Sequence, residues 1–272
     1  MDILRLALLS LAAGIAIILG ASLLFQADLT HNKVSPATAT QDQTTTPAQL
    51  RAARTKIEAR IAAASPDYMR FFSRLRQLLP HEYDVILDGF ARQSLEGADM
   101  TNVDSLLSEA VRALRLSSGA MAAKADGRAL SRIFDLQLAM MRALAAKDPR
   151  LCVDFLYGGA SPAFFDFSSE NRPLVANMAI AGLDAINNGR LLRIERAPPS
   201  DKDFELLEQA LKAKDLNQTE IAAILDGKTP SPPIASERMC HVGEIYLETL
   251  ASLPETVRFR IYGLAVELMA RS

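Results

Sequence analysis

The feature that most constrains this chain is an uncharged apolar run close to its start. Residues 6–25 read LALLSLAAGIAIILGASLLF and contain no charged side chain. A helix of this length, at about 1.5 Å per residue, spans roughly 30 Å, which is the thickness of the hydrocarbon core of a bilayer. The run therefore predicts a transmembrane helix, and the rest of the chain has to fold as a separate body on one side of the membrane.

Two interpretations of this run are open, an uncleaved signal anchor and a cleaved signal peptide. The apolar core exceeds the roughly 7–15 residues usual in a secretory signal peptide, which favours the anchor. Arg5 precedes the run and Asp28 follows it, a slight charge bias that keeps the N-terminus in the cytoplasm. We expect residues 1–27 to be a signal anchor that crosses the inner (cytoplasmic) membrane once, with the body in the periplasm.

A stretch poor in large apolar residues separates this segment from the body. Residues 30–48 read THNKVSPATATQDQTTTPA, rich in threonine, glutamine and proline. Such a composition buries too little apolar surface to offset the entropy lost on ordering. Residues 28–48 are therefore predicted to be a disordered Thr/Pro-rich linker that tethers the body to the membrane.

The body, residues 49–272, is predicted to be all-α. Apolar residues recur with helical spacing, no strand alternation persists, and no repeat period is found. Start signals include Ser65-Pro66 and the capping box of Asn217 with Glu220. Stop signals include Gly97, Asn188-Gly189 and Asp226-Gly227. Helices are predicted at about 48–64, 66–79, 81–96, 102–117, 127–147, 149–158, 172–188, 201–214, 218–226, 235–252 and 254–271. The expected architecture is an irregular array of antiparallel helices, either bundle or solenoid-like.

The chain has two cysteines, Cys152 and Cys240, both in the exported body. Disulfides form and persist outside the cytoplasm, and an even count favours pairing, so we predict that these two are bonded. The alternative is that Cys152 is a nucleophile with a lowered pKa, activated by His241. A CxxC motif is absent, which disfavours redox exchange, and two free buried cysteines are the remaining possibility.

A phenylalanine-rich segment is predicted to be a loop between residues 158 and 173. Phe164, Phe165 and Phe167 could line a binding groove, with Asp166 and Glu170 as nearby carboxylates. The alternative is that the rings pack onto the helical core, which is the more common role of buried aromatics. This segment is the sequence's candidate binding loop.

Several function classes are disfavoured by composition and motifs. Basic and acidic residues number 30 and 32, so no basic excess indicates nucleic-acid binding. No HExxH, CxxC, GxGxxG, GxxxxGK[ST] or GxSxG pattern occurs, and we predict neither metal nor cofactor. The favoured function is a membrane-anchored protein-interaction or scaffold component of the bacterial cell envelope, with a protein partner. The alternative is a hydrolase or lyase acting on cell-wall glycan, which needs a general acid in a partly apolar cleft; its candidates are Glu170 and Asp166.

Overall fold

The fold is described by a computed structural model that covers residues 45–157 and 161–271. Within these ranges the chain forms twelve α-helices and one 3₁₀ helix, and no strand. The α-helices are, in order, α1 (Pro47–Ala64), α2 (Pro66–Leu78), α3 (Pro80–Leu95), α4 (Val103–Ser118), α5 (Gly127–Lys147), α6 (Pro149–Tyr157), α7 (Pro162–Glu170), α8 (Arg172–Leu192), α9 (Asp201–Lys212), α10 (Gln218–Asp226), α11 (Ser236–Ser252) and α12 (Glu255–Arg271). The 3₁₀ helix is Gly119–Lys124. The all-α prediction is confirmed.

Two helix starts are fixed by the local hydrogen bonds that their sequences predict. The Ser65 hydroxyl accepts from the Tyr68 backbone N–H at 3.2 Å, and Pro66 occupies the first helical position of α2. The Asn217 side chain and Glu220 form the predicted capping box of α10. These contacts satisfy amide groups that have no partner inside the helix.

The helices pack as an irregular bundle around one core. Helix α8 contacts α2, α5 and the 3₁₀ helix, and α12 also packs on the 3₁₀ helix. These elements lie far apart in the chain, whereas each repeat of a solenoid contacts only its neighbours. Helix α11 packs against both α5 and α6. Helices α5 and α8 therefore hold the early and late parts of the body together.

The 3₁₀ helix lies so close to α8 that only glycine fits at position 189. A Cβ atom built on Gly189 would lie 1.8 Å from the backbone oxygen of Met121. Asn188-Gly189 was predicted to end α8, and this prediction is wrong, because the helix continues to Leu192 and ends at Arg193 with φ 50°. The glycine serves close packing between two elements and not a turn.

Two further sequence predictions bear on the start of the chain. The membrane segment, residues 6–25, and most of the linker, residues 28–48, lie outside the described residues. Helix α1 begins at Pro47, inside the stretch predicted as linker, because Thr46 and Gln49 form a capping box there. Among residues 45–157 and 161–271, no helix is long and apolar enough to cross a membrane.

Candidate functional site

The two cysteines are bonded to each other, as predicted. Cys152 lies in α6 and Cys240 in α11, their Cα atoms are 5.7 Å apart, and both are buried. The bond joins two helices that already pack together. It also consumes the thiol that the nucleophile hypothesis required, so the Cys152–His241 dyad is wrong for this structure. The disulfide is a structural bond inside the core.

The phenylalanine-rich segment is a helix, and its prediction as a loop is wrong. Ser161 and Pro162 start α7, and residues 158–160 of the predicted loop lie outside the described residues. Phe164 and Phe167 are buried one helical turn apart, and the Phe164 ring is 6.2 Å from that of Phe155. Helical spacing turns these two rings inward, so they pack the core and do not line a groove.

The carboxylates of this segment face solvent. Asp166 is exposed, and Glu170 keeps 55% of its side chain accessible while its carboxylate pairs with the Lys147 ammonium at 2.7 Å. A glycosidase acid needs a partly apolar cleft that raises its pKa. Glu170 is instead exposed and ion-paired, so nothing among the described residues around it favours the glycan-cleaving alternative.

The sequence analysis did not anticipate a polar cleft between α2, α5 and α8. It has a volume of about 510 Å³. Its wall includes Arg74, Arg128, Arg132, Asn187 and Leu191, together with the carboxylates of Asp126 and Asp184. We call this surface the arginine cleft. Three arginines from two separate helices meet there, and the signal that could have indicated it is the spacing of Arg128 and Arg132, which are four residues apart on α5 and so share one face.

The arginines of the cleft differ in their pairing. Arg74 donates through Nε to Asp184 at 2.9 Å. Arg128 and Arg132 are exposed, and no carboxylate of the described part of the chain pairs with either. A guanidinium has five donors and binds carboxylates through two parallel hydrogen bonds. Two unpaired guanidinium groups on one face can therefore hold an acidic group of another molecule.

An exposed apolar side chain borders the same cleft. Leu191, in the last turn of α8, is 74% exposed, and its neighbour Leu192 is also exposed. Interfaces between proteins combine apolar contact with arginine, which is enriched at the positions that dominate binding energy. The cleft has this combination.

Three carboxylates at helix starts are buried and paired with arginines, which the sequence analysis did not predict. The pairs are Asp104–Arg172, Asp203–Arg260 and Glu220–Arg238. Arg260 was not foreseen as a partner because 57 residues separate it from Asp203. In the Asp203 and Glu220 pairs, hydrogen bonds from the arginine hold the carboxyl pKa below its usual value. Every carboxylate oxygen of these three pairs accepts a hydrogen bond from within the protein. The pairs therefore join elements of the fold.

Within the described ranges, no three His, Cys, Asp or Glu side chains are grouped closely enough to hold a metal ion. Comparison with known proteins gives no family: no protein-family model, no curated protein and no solved structure matches the chain. Function is therefore inferred from the arginine cleft, the disulfide and the apolar run at residues 6–25.

Proposed function

We propose that this chain is a membrane-anchored extracytoplasmic helical domain that acts as a protein-interaction or scaffold component of the bacterial cell envelope. Residues 6–25 would anchor it in the inner membrane with the N-terminus in the cytoplasm and the helical body in the periplasm. The observation that carries the proposal is the arginine cleft, where Arg128 and Arg132 have no acidic partner beside the exposed Leu191.

Two features support export of the body. The uncharged run at residues 6–25 is long enough to span a bilayer, and Cys152 and Cys240 are disulfide-bonded. Disulfides are rare in compartments where glutathione keeps thiols reduced. A buried structural disulfide and a membrane segment are both expected of a protein whose body folds outside the cytoplasm.

The cleft indicates the chemistry of the partner. Its unpaired guanidiniums favour an aspartate- or glutamate-bearing surface, and Leu191 favours an apolar residue next to that acidic group. Arg74 is already engaged by Asp184, so Arg128 and Arg132 are the groups left to bind. The linker would give the body freedom to reach such a partner at some distance from the membrane.

Site-specific photo-crosslinking in living cells tests this proposal on the full chain. Benzoylphenylalanine would replace Leu191 or Asn187 in the cleft, and Val85 or Leu206 elsewhere, since both control positions are also exposed. The expected result is one adduct of discrete mass from the two cleft positions and none from the controls.

Charge reversal then tests the role of the arginines. The double variant Arg128→Glu/Arg132→Glu is expected to lose the adduct. The matched control Arg51→Glu/Arg92→Glu makes the same change in net charge at two exposed arginines outside the cleft, and should keep it. Equal adducts from all four positions, or an adduct insensitive to Arg128 and Arg132, would contradict the proposal.

A further inference from the structure

An apolar pocket lies where α2, α4, α5, α8, α12 and the 3₁₀ helix meet. Its volume is about 90 Å³ and it is partly open to solvent. Its wall includes Phe71, Val111, Leu114, Met178, Ile186 and Met269. Apart from one arginine, the residues that line it have apolar side chains or none, so the pocket is suited to a hydrocarbon group.

Among the described residues of the pocket wall, the only charged one is Arg115, near the end of α4. Its Nε–H is buried and has no acceptor, and its Nη1 donates only a long bond of 3.4 Å to the Met269 backbone oxygen. No carboxylate in the described part of the chain pairs with Arg115, whereas Arg112, one turn earlier, pairs with Glu109 at 3.0 Å. Burial and the nearby charge of Arg112 lower the pKa of Arg115. Arg115 is therefore a cation at the pocket wall with no carboxylate partner among the described residues.

Gly182, in α8, leaves part of the pocket empty because it has no side chain. A Cβ atom built there would meet no atom within 4 Å outside its own helix backbone, although the residue lies in the middle of α8 and lines the pocket. Glycine is the poorest helix former after proline, so its presence here keeps the space open at a cost to the helix.

We propose that this pocket binds a single alkyl chain whose anionic head, a carboxylate or a phosphate, pairs with Arg115. An enclosed apolar cavity of about 150 Å³ holds one benzene ring, so this pocket of about 90 Å³ has room only for the few methylene groups next to the head, and the rest of the alkyl chain leaves through the open side. The guanidinium supplies the charge-assisted hydrogen bonds that such a head requires. The site is separate from the arginine cleft and does not depend on the proposed protein partner.

Photolabelling of the full chain in membranes tests this proposal. The probe is hexadecanoic acid with a diazirine close to its carboxyl group, and labelled peptides are mapped by mass spectrometry. Labels are expected on α4, α8 and α12 beside the pocket. Unlabelled hexadecanoate and hexadecyl phosphate are added as competitors of the probe, and the one that reduces labelling more shows whether the head is a carboxylate or a phosphate. Hexadecanol, which has no anionic head, should compete poorly. Labels confined to residues 6–25, or absent from the pocket, would overturn the proposal.

Two variants test separately how the pocket binds the alkyl chain and the anionic head of the ligand. Gly182→Leu should abolish pocket labelling, because its side chain fills the space, while the control Gly89→Leu should not, since Gly89 also has open space but lies outside the pocket. Arg115→Gln should lower labelling by the acid roughly tenfold or more, as expected for loss of a charge-assisted hydrogen bond. The same variant should leave labelling by the diazirine alcohol unchanged; an equal loss for acid and alcohol would assign Arg115 a purely structural role.

The arginine-cleft variant provides an independent check. Arg128→Glu/Arg132→Glu should leave pocket labelling unchanged, since neither residue lines the pocket. A cooperative urea-unfolding transition in each variant shows that the body has folded. Loss of labelling in Gly182→Leu with this transition retained therefore reports on the pocket.

Discussion

Helix α4 carries a charged side chain near each of its ends, and the two differ in how completely their hydrogen bonds are made. Near its start, Asp104 accepts from the Tyr68 hydroxyl at 2.6 Å and from Arg172 at 2.8 and 3.1 Å. Near its end, Arg115 has one long hydrogen bond and a buried N–H without an acceptor. The first charge is fully paired inside the protein, and the second is not.

This difference separates a structural role from a binding role. A buried charge with all its hydrogen bonds made joins elements of the fold, here α2, α4 and α8. A half-buried charge left without a counter-ion beside an apolar pocket has capacity for a ligand. Three substitutions and one change of pH test this difference.

The largest effect is expected from Asp104→Ala. The change leaves the Tyr68 hydroxyl and Arg172 without their acceptor. Breaking a buried pair costs about 3–5 kcal/mol, and we expect about 3 kcal/mol because 30% of the Arg172 side chain reaches solvent. Urea unfolding of residues 45–272 measures it. Asp201→Ala, at an exposed helix start, is the control and should cost under about 1 kcal/mol.

Acid should remove the same stabilisation. Burial alone would raise the pKa of Asp104, but hydrogen bonds from Arg172 and Tyr68 outweigh it and hold that pKa below 3.8. A carboxyl whose folded pKa is lowered stabilises the protein above its unfolded pKa, and this contribution is lost as pH falls through the folded value. The difference in unfolding free energy between the native chain and Asp104→Ala should therefore be constant from pH 7 to about 5 and shrink below about pH 4. A difference that persists at pH 2 would contradict the ionic role of Asp104.

A smaller effect is expected from Tyr68→Phe, which removes only the hydroxyl bonded to Asp104. A hydrogen bond to a charged group contributes about 1.5–3 kcal/mol, and we expect about 1.5 kcal/mol because Arg172 still holds the carboxylate. Tyr157→Phe is the matched control, since its hydroxyl contacts only the Met239 sulfur at 3.4 Å. A Tyr68 variant that unfolds like the control would show that Arg172 alone satisfies Asp104.

The smallest effect is expected from Arg115→Met. Replacing an unpaired, half-buried cation by an apolar chain of similar length removes a desolvation cost, so the unfolding free energy should stay within about 1 kcal/mol of the native value or rise. Arg172→Met is the contrasting variant and should cost about 3 kcal/mol, since it leaves Asp104 buried without its cation. Equal losses in the two variants would remove the distinction between the ends of α4.

The helical architecture could be predicted because its signals are local. Ser65-Pro66 and the Asn217–Glu220 box start helices as expected, and Gly97 and Gly227 adopt positive φ at helix ends. The Cys152–Cys240 bond followed from an even cysteine count and the predicted compartment. The helix starts and ends depend on neighbouring residues, and the cysteine pairing depends on the number of cysteines in the chain.

The missed features depend on contacts between distant residues. Gly189 looks like a helix stop until the backbone of Met121 is placed against it. Helix α7 was missed because proline and paired glycines precede its phenylalanines, and their burial depends on the helices around them. The arginine cleft and the apolar pocket each need several helices to meet, and a residue pattern on one helix does not show whether a neighbour fills the space.

The most direct test of the account is the oxidation state of Cys152 and Cys240 in the cell. Cells making the full chain would be quenched in acid, and the denatured protein alkylated with and without reductant and weighed intact. An exported body predicts no adduct without reductant, two adducts after reduction, and the mass of a monomer. Two adducts without reductant would show that both thiols are free in the cell and would contradict the proposed position of the body outside the cytoplasm.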